Sequence, residues 1–188
     1  DLGVYLADGM MDLVSADLKV IANKHGANNV NIRSFMWMQG ESDASIKETA
    51  EQYGELENIL INRVRTELGG YDKEGSIPFV DGAIAAYKSG VNIWPYADIV
   101  NSAKASNATY WYIPENTAGN VINKTTAGLY VNEGSSATKL ADSIWIDTST
   151  CISKLENKNE NGENDGYHYC GEAMLKLGIW FAQGMLVF

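Results

Sequence analysis

The stretch Val30-Asn31-Ile32-Arg33-Ser34-Phe35-Met36-Trp37-Met38-Gln39-Gly40-Glu41-Ser42-Asp43 decides the fold. Val30 to Met38 reads as a strand, and its second half, Phe35 to Met38, is continuously apolar, as expected of a strand covered on both faces. It breaks abruptly at the polar run Gln39 to Asp43. From Ala44 to Leu68 the period becomes helical, with Ile46, Ala50, Tyr53, Leu56, Leu60, Val64 and Leu68 three or four apart. Ser42 or Asp43 can cap that helix, and Gly69-Gly70 ends it.

On the amino-terminal side, Met10, Leu13, Val14, Leu18, Ile21 and Ala22 form a helical stripe from Gly9 to His25, stopped at Gly26. On the other side, Ile77-Pro78-Phe79-Val80 reads as a short buried strand and Pro95 to Ala108 as a helix. Ser143 to Asp147 reads as a further strand, Lys154 to Gly166 as a polar loop, and Gly171 to Met185 as a last helix. Residues Asn107 to Thr138 are less regular and read as excursions on the rim of the sheet. Alternation of helix and strand indicates an α/β layered fold with a mostly parallel sheet. The 188 residues suit one domain, spanning 1-188.

Lys plus Arg number 14 against 24 Asp plus Glu, a formal net charge of -10. Such a surface repels phosphate backbones, which argues against nucleic acid and anionic membranes as partners. No apolar run approaches the ~20 residues of a membrane span. The chain opens on Asp1 without an initiator Met or a visible signal peptide, and so reads as a trimmed product. Cys151 and Cys170 either form one bridge, closing a loop that contains His168, or are unrelated thiols.

In an open α/β sheet, ligands bind beyond the carboxyl ends of the strands. Gln39-Gly40-Glu41 is delivered to that edge by its strand, and the loop Asp165-Gly166-Tyr167-His168 follows the last strand. His168 is either a loop histidine bonded to backbone or a general base, a role its ordinary pKa suits. Asp165, three residues earlier, can orient its ring. His25 reads as a helix-end residue facing the dipole. The Gln39 amide can serve an oxyanion, and the Glu41 carboxylate can support an imidazolium. Gly40 permits close approach of a substrate to the backbone. All of these readings coexist with an ordinary helix start at Ser42 and Asp43.

Phe35-Met36-Trp37-Met38-Gln39-Gly40-Glu41-Ser42-Asp43-Ala44 resembles the W-x-Q-G-E-x-D-A block of the sialate O-acetylesterase-like domain. That group includes the carbohydrate esterase family 6 acetyl xylan esterases, within the SGNH (GDSL) hydrolase superfamily. Asp165-Gly166-Tyr167-His168-Tyr169 resembles the family's final D-x-x-H block. The resemblance implies a flavodoxin-like three-layer α/β/α sandwich and a Ser–His–acid esterase needing no metal or organic cofactor. It matches His168 to the base, Glu41 or Asp165 to the acid, and Gln39 to the oxyanion donor.

The family's G-Q-S-N block, which bears the nucleophile on the first strand, has no counterpart in this sequence. The expectation is a domain incomplete at its amino terminus, lacking that strand. A missing segment or second chain would then carry the serine, and the sheet would have an open apolar edge.

The sequence therefore points to a carbohydrate O-acetylesterase acting on an acetylated carbohydrate. A catalytically inactive carbohydrate-binding or structural module on the same fold is the alternative, with Tyr110-Trp111-Tyr112 as its candidate sugar patch. A glycosidase using Glu41 and Asp43 as paired carboxylates is weaker, since near-neighbours at a helix start diverge. The polysaccharide substrate, the cysteine pair, the trimmed start and the sequons Asn107-Ala108-Thr109 and Asn123-Lys124-Thr125 suggest an extracellular protein.

Overall fold

The structure, a computed structural model, describes residues 2–85, 87–88, 91–92, 94–115, 122, 126–134, 140–148, 151 and 168–188. Its elements are α1 (Leu2–His25), β1 (Phe35–Trp37), α2 (Lys47–Leu68), β2 (Phe79–Gly82), β3 (Tyr87–Lys88), β4 (Val91–Asn92), α3 (Ala97–Asn107), β5 (Tyr110–Ile113), β6 (Gly128–Val131), β7 (Ser143–Ile146) and α4 (Gly171–Met185). The main sheet has five strands in the order β1-β2-β7-β5-β6, and β3 and β4 form a separate hairpin. β1, β2, β7 and β5 run parallel, and β6 is antiparallel to β5. This is the α/β fold with a mostly parallel sheet that the sequence predicts.

Alternation along β2 and β7 sorts the helices into two outer layers. Val80, Ile144 and Ile146 pack against Leu177, Trp180 and Phe181 of α4. Phe79 meets Ile61 of α2, and Trp145 meets Ala105 of α3. Val64 and Leu68 of α2 pack with Met11 of α1. Close approach of α4 requires small residues on both sides. A Cβ on Gly82 would stand 2.8 Å from Phe181 Cζ, and one on Gly184 would stand 3.2 Å from both Val80 and Ile146.

Three expectations are corrected. First, the region 107–138 is no mere rim. β5 lies within the sheet beside β7, and β6 closes that side as its antiparallel edge. The β6 pattern of alternating half-buried and exposed residues is that of an edge strand, which the polar flanks obscure.

Second, the strand predicted over 30–38 pairs only at Phe35–Trp37. Upstream, Ile32 N–H donates to the Tyr71 carbonyl instead of joining the ladder. One face of β1 is covered, with Phe35 stacked on Trp37 at 5.7 Å and on Phe79 at 6.1 Å. The other face leaves Met36 46% exposed. Third, α2 starts at Lys47, and neither Ser42 nor Asp43 caps it, because a 3-10 turn over Asp43–Ser45 intervenes. Among the described residues, β1 pairs with β2 alone and forms one edge of the sheet.

Candidate active site

The carboxyl end of β1 leads straight into Gln39-Gly40-Glu41, and three interactions fix this corner. The Tyr53 hydroxyl, from α2, donates to the Gln39 carbonyl at 2.9 Å. Trp37 Nε1 donates to the same hydroxyl at 3.2 Å. The Gln39 side-chain amide donates to Asp43 Oδ2 at 2.8 Å, so Asp43 holds the amide in place. Gly40 has φ +132, a backbone region that favours glycine. It is pressed between Val100 of α3 and the Tyr53 ring. The corner is closed by Ala44 N–H on the Gly40 carbonyl, and Tyr96 N–H ties Ala44 to the start of α3.

The other strands of the parallel core end on the same side. β2 runs out into Gly82-Ala83, and β7 into Asp147-Thr148. Thr148 Oγ1 donates to the Ala83 carbonyl and Asp147 N–H to the Tyr112 carbonyl, joining these ends. The approach to α4, His168-Tyr169-Cys170, arrives here as well. Tyr169 packs in the α4 core cluster. Burial pushes its phenol pKa up, and the Glu41 charge pushes it further. The residue next to His168 therefore lies within the electrostatic reach of Glu41. His168 itself is exposed, and Glu41 is half-buried. Asp165 lies outside the described residues.

Directly under the corner is a buried polar cluster that the sequence reading missed. Asp81, on β2 and in register with Trp37, accepts from Lys104 Nζ at 2.8 Å. Lys104 also donates to the Gly82 carbonyl at 3.0 Å and lies 5.4 Å from the centroid of the Tyr53 ring. Glu57, one turn beyond Tyr53 on α2, accepts from Asn107 Nδ2 at 2.9 Å. Glu57 and Asp81 lie close enough for each to act on the titration of the other. Burial raises the pKa of both carboxyls, and Lys104 opposes the shift. Tyr53 is raised too, by burial and then by the charges of Asp81 and Glu57. The signal in the sequence was an aspartate inside Pro78-Phe79-Val80-Asp81-Gly82, where a core strand should be apolar.

Other candidates have structural employment. Tyr110-Trp111-Tyr112 is β5, and its side chains are half-buried. Tyr110 and Tyr112 pack beside α4, and Trp111 Nε1 donates to the Ala105 carbonyl. Asp43 is engaged by Gln39, which weakens its pairing with Glu41 as a glycosidase dyad. Cys151 and Cys170 are both thiols, and Cys151 is buried. Asn107 of the first sequon is buried, with its amide donating to Gly54 and Glu57. The second sequon, at 123–125, lies outside the described residues.

Residues 16–114 match the family described as carbohydrate esterase, sialic acid-specific acetylesterase. That span holds the corner, the Tyr53 clamp and the buried cluster, but not His168. A solved Arabidopsis thaliana protein is similar in fold, with a TM-score of 0.53 and 22% identity over 90% of this chain. The chain spans 50% of the length of that structure. No curated protein sequence matches. With the match running over more than half of its length, the chain belongs to the sialic acid-specific acetylesterase family of carbohydrate esterases.

Proposed function

We propose that the whole protein is a carbohydrate O-acetylesterase of the serine type, and that this chain supplies every part of the site except the nucleophile. What supports the reading is that Met38, which leads into the clamped Gln39-Gly40-Glu41 corner, and Tyr169, which follows His168, pack against the same core cluster, with the Glu41 charge acting on Tyr169. In this reading the serine comes from a segment outside these 188 residues. Several serines within them are ill-suited: Ser15 lies in α1, and Ser143 is buried and bonded to the Leu140 carbonyl.

The serine oxygen attacks the acetyl carbonyl while His168 takes its proton, and Glu41 or Asp165 steadies the imidazolium. One N–H of the Gln39 amide is spent on Asp43, and the second is the donor for the oxyanion. Collapse of the tetrahedral intermediate expels the sugar oxygen, which takes its proton from His168. Water, activated by the same imidazole, then releases acetate and restores the serine. The test is acetate release from p-nitrophenyl acetate and acetylated xylan by the full-length protein. His168→Ala should lose activity by several orders of magnitude. Unchanged turnover in that variant would remove the mechanism.

A further inference from the structure

We propose that Glu57 and Asp81 share a single proton and, with Lys104, form a charge-neutral plug that positions the Gln39–Gly40 corner. Each carboxyl has one oxygen engaged, Glu57 Oε2 by Asn107 and Asp81 Oδ1 by Lys104. The other two, Glu57 Oε1 and Asp81 Oδ2, are buried with no donor. The two carboxyls are close enough that each acts on the titration of the other. Neither oxygen has a donor of its own, and a single proton held between the two carboxyls satisfies both atoms at once.

Charge leads to the same conclusion. Glu57, Asp81 and Lys104 are 3%, 2% and 1% exposed. Two carboxylates against one ammonium would leave a net negative charge far from water, which is costly. One bound proton makes the group neutral. The titratable groups facing it are Lys104 from α3 and Tyr53 from α2, and the charge of Asp43 also acts on Tyr53. Tyr53 is itself held protonated by burial, so it adds no further negative charge. Its hydroxyl is the clamp on the Gln39 carbonyl, and its ring is one wall of Gly40. Glu57 and Asp81 are thus positioning residues, acting on the corner through Tyr53. They do so whatever reaction the corner serves.

The experiment is infrared spectroscopy of the folded chain at neutral pH, where exposed carboxyls are ionised. Wild type should show the carbonyl stretch of one protonated carboxylic acid, and Glu57→Gln, which replaces the shared proton by an amide N–H, should lose it. Absence of that band in wild type, or its survival in Glu57→Gln, would overturn the proposal. The link to the corner is read by the Trp37 indole and Gly40 amide resonances in nitrogen-labelled protein. They should keep their positions in Glu57→Gln and shift in Glu57→Leu. If Glu57→Leu folds and both resonances stay put, the plug does not position the corner. If it does not fold, the infrared comparison and the unshifted resonances of Glu57→Gln still decide the matter.

Discussion

Replacing Gly40 by alanine tests whether the corner is as tightly built as its geometry says. The added Cβ would lie 2.7 Å from Val100 Cγ1 and 3.1 Å from Tyr53 Cε2. Both neighbours are core residues, Val100 fully buried and Tyr53 locked through its hydroxyl, so neither yields easily. Overpacking of this kind costs roughly 1–3 kcal/mol. The φ of +132 adds backbone strain of roughly 1–3 kcal/mol for any residue with a side chain. The sum is about 2–6 kcal/mol, a large share of the stability of an ordinary domain. With an unfolding entropy of about 2.1 cal/mol/K per residue, 188 residues give about 0.4 kcal/mol/K, so Tm should fall by roughly 5–15 °C. Circular dichroism melts of Gly40→Ala provide the measurement. Gly178→Ala is the control, because its Cβ meets nothing within 4 Å on the exposed side of α4. It should hold or raise Tm, since alanine is the better helix former. A Gly40→Ala melt within about 2 °C of wild type would refute the packing argument.

Other consequences can be checked with the same preparations. Asn132→Ala removes an amide that donates to the Ala105, Ser106 and Ala108 carbonyls at the end of α3. Urea unfolding should show a loss of about 1–3 kcal/mol. Arg65→Met strips donors from the Ile77, Ala141 and Asp142 carbonyls that align the entries of β2 and β7, with a loss of similar size.

Because burial raises the Glu57 and Asp81 pKa values, the folded state holds a proton that the unfolded chain has released. That contribution is fully present below about pH 4 and is lost as pH rises through the folded value. Relative to Glu57→Gln, wild type should therefore lose about 1.4 kcal/mol per pH unit across that window, and a flat difference would contradict the assignment. Finally, a thiol reagent should modify half-buried Cys170 quickly and buried Cys151 only on unfolding. Finding fewer than two thiols in denaturant without reductant would show a bridge.

The sequence disclosed what periodicity encodes. Continuous apolarity at Phe35–Trp37, Phe79–Val80 and Ile144–Ile146 marks three parallel strands, and the stripe on α4 marks its bounds at Gly171 and Met185. It was silent on β5 and β6. Tyr110 to Ile113 is four residues long, and its aromatic content reads equally well as a surface patch. The insertion of β7 between β2 and β5 is a matter of tertiary pairing that no local pattern carries. At the site, Gln39, Gly40 and Glu41 stood out because polar residues follow a buried strand. Tyr53, Glu57 and Lys104 did not, because each sits where a helical stripe needs bulk. Asp43 looked like a helix cap, and its side chain instead holds Gln39.

Among the described residues, β1 meets the sheet through three register pairs, all on one side. Its end is held chiefly from α2, through the Tyr53 hydroxyl, rather than by further strand pairing. Such an arrangement favours a subglobal opening in which β1 detaches while β2, β7 and β5 stay zipped. Native-state hydrogen exchange would then release the amides from Phe35 to Glu41 at a lower free energy than those of β7. Whatever this corner recognises would gain a handle on the protein without unfolding it, since binding would close an opening the core never experiences.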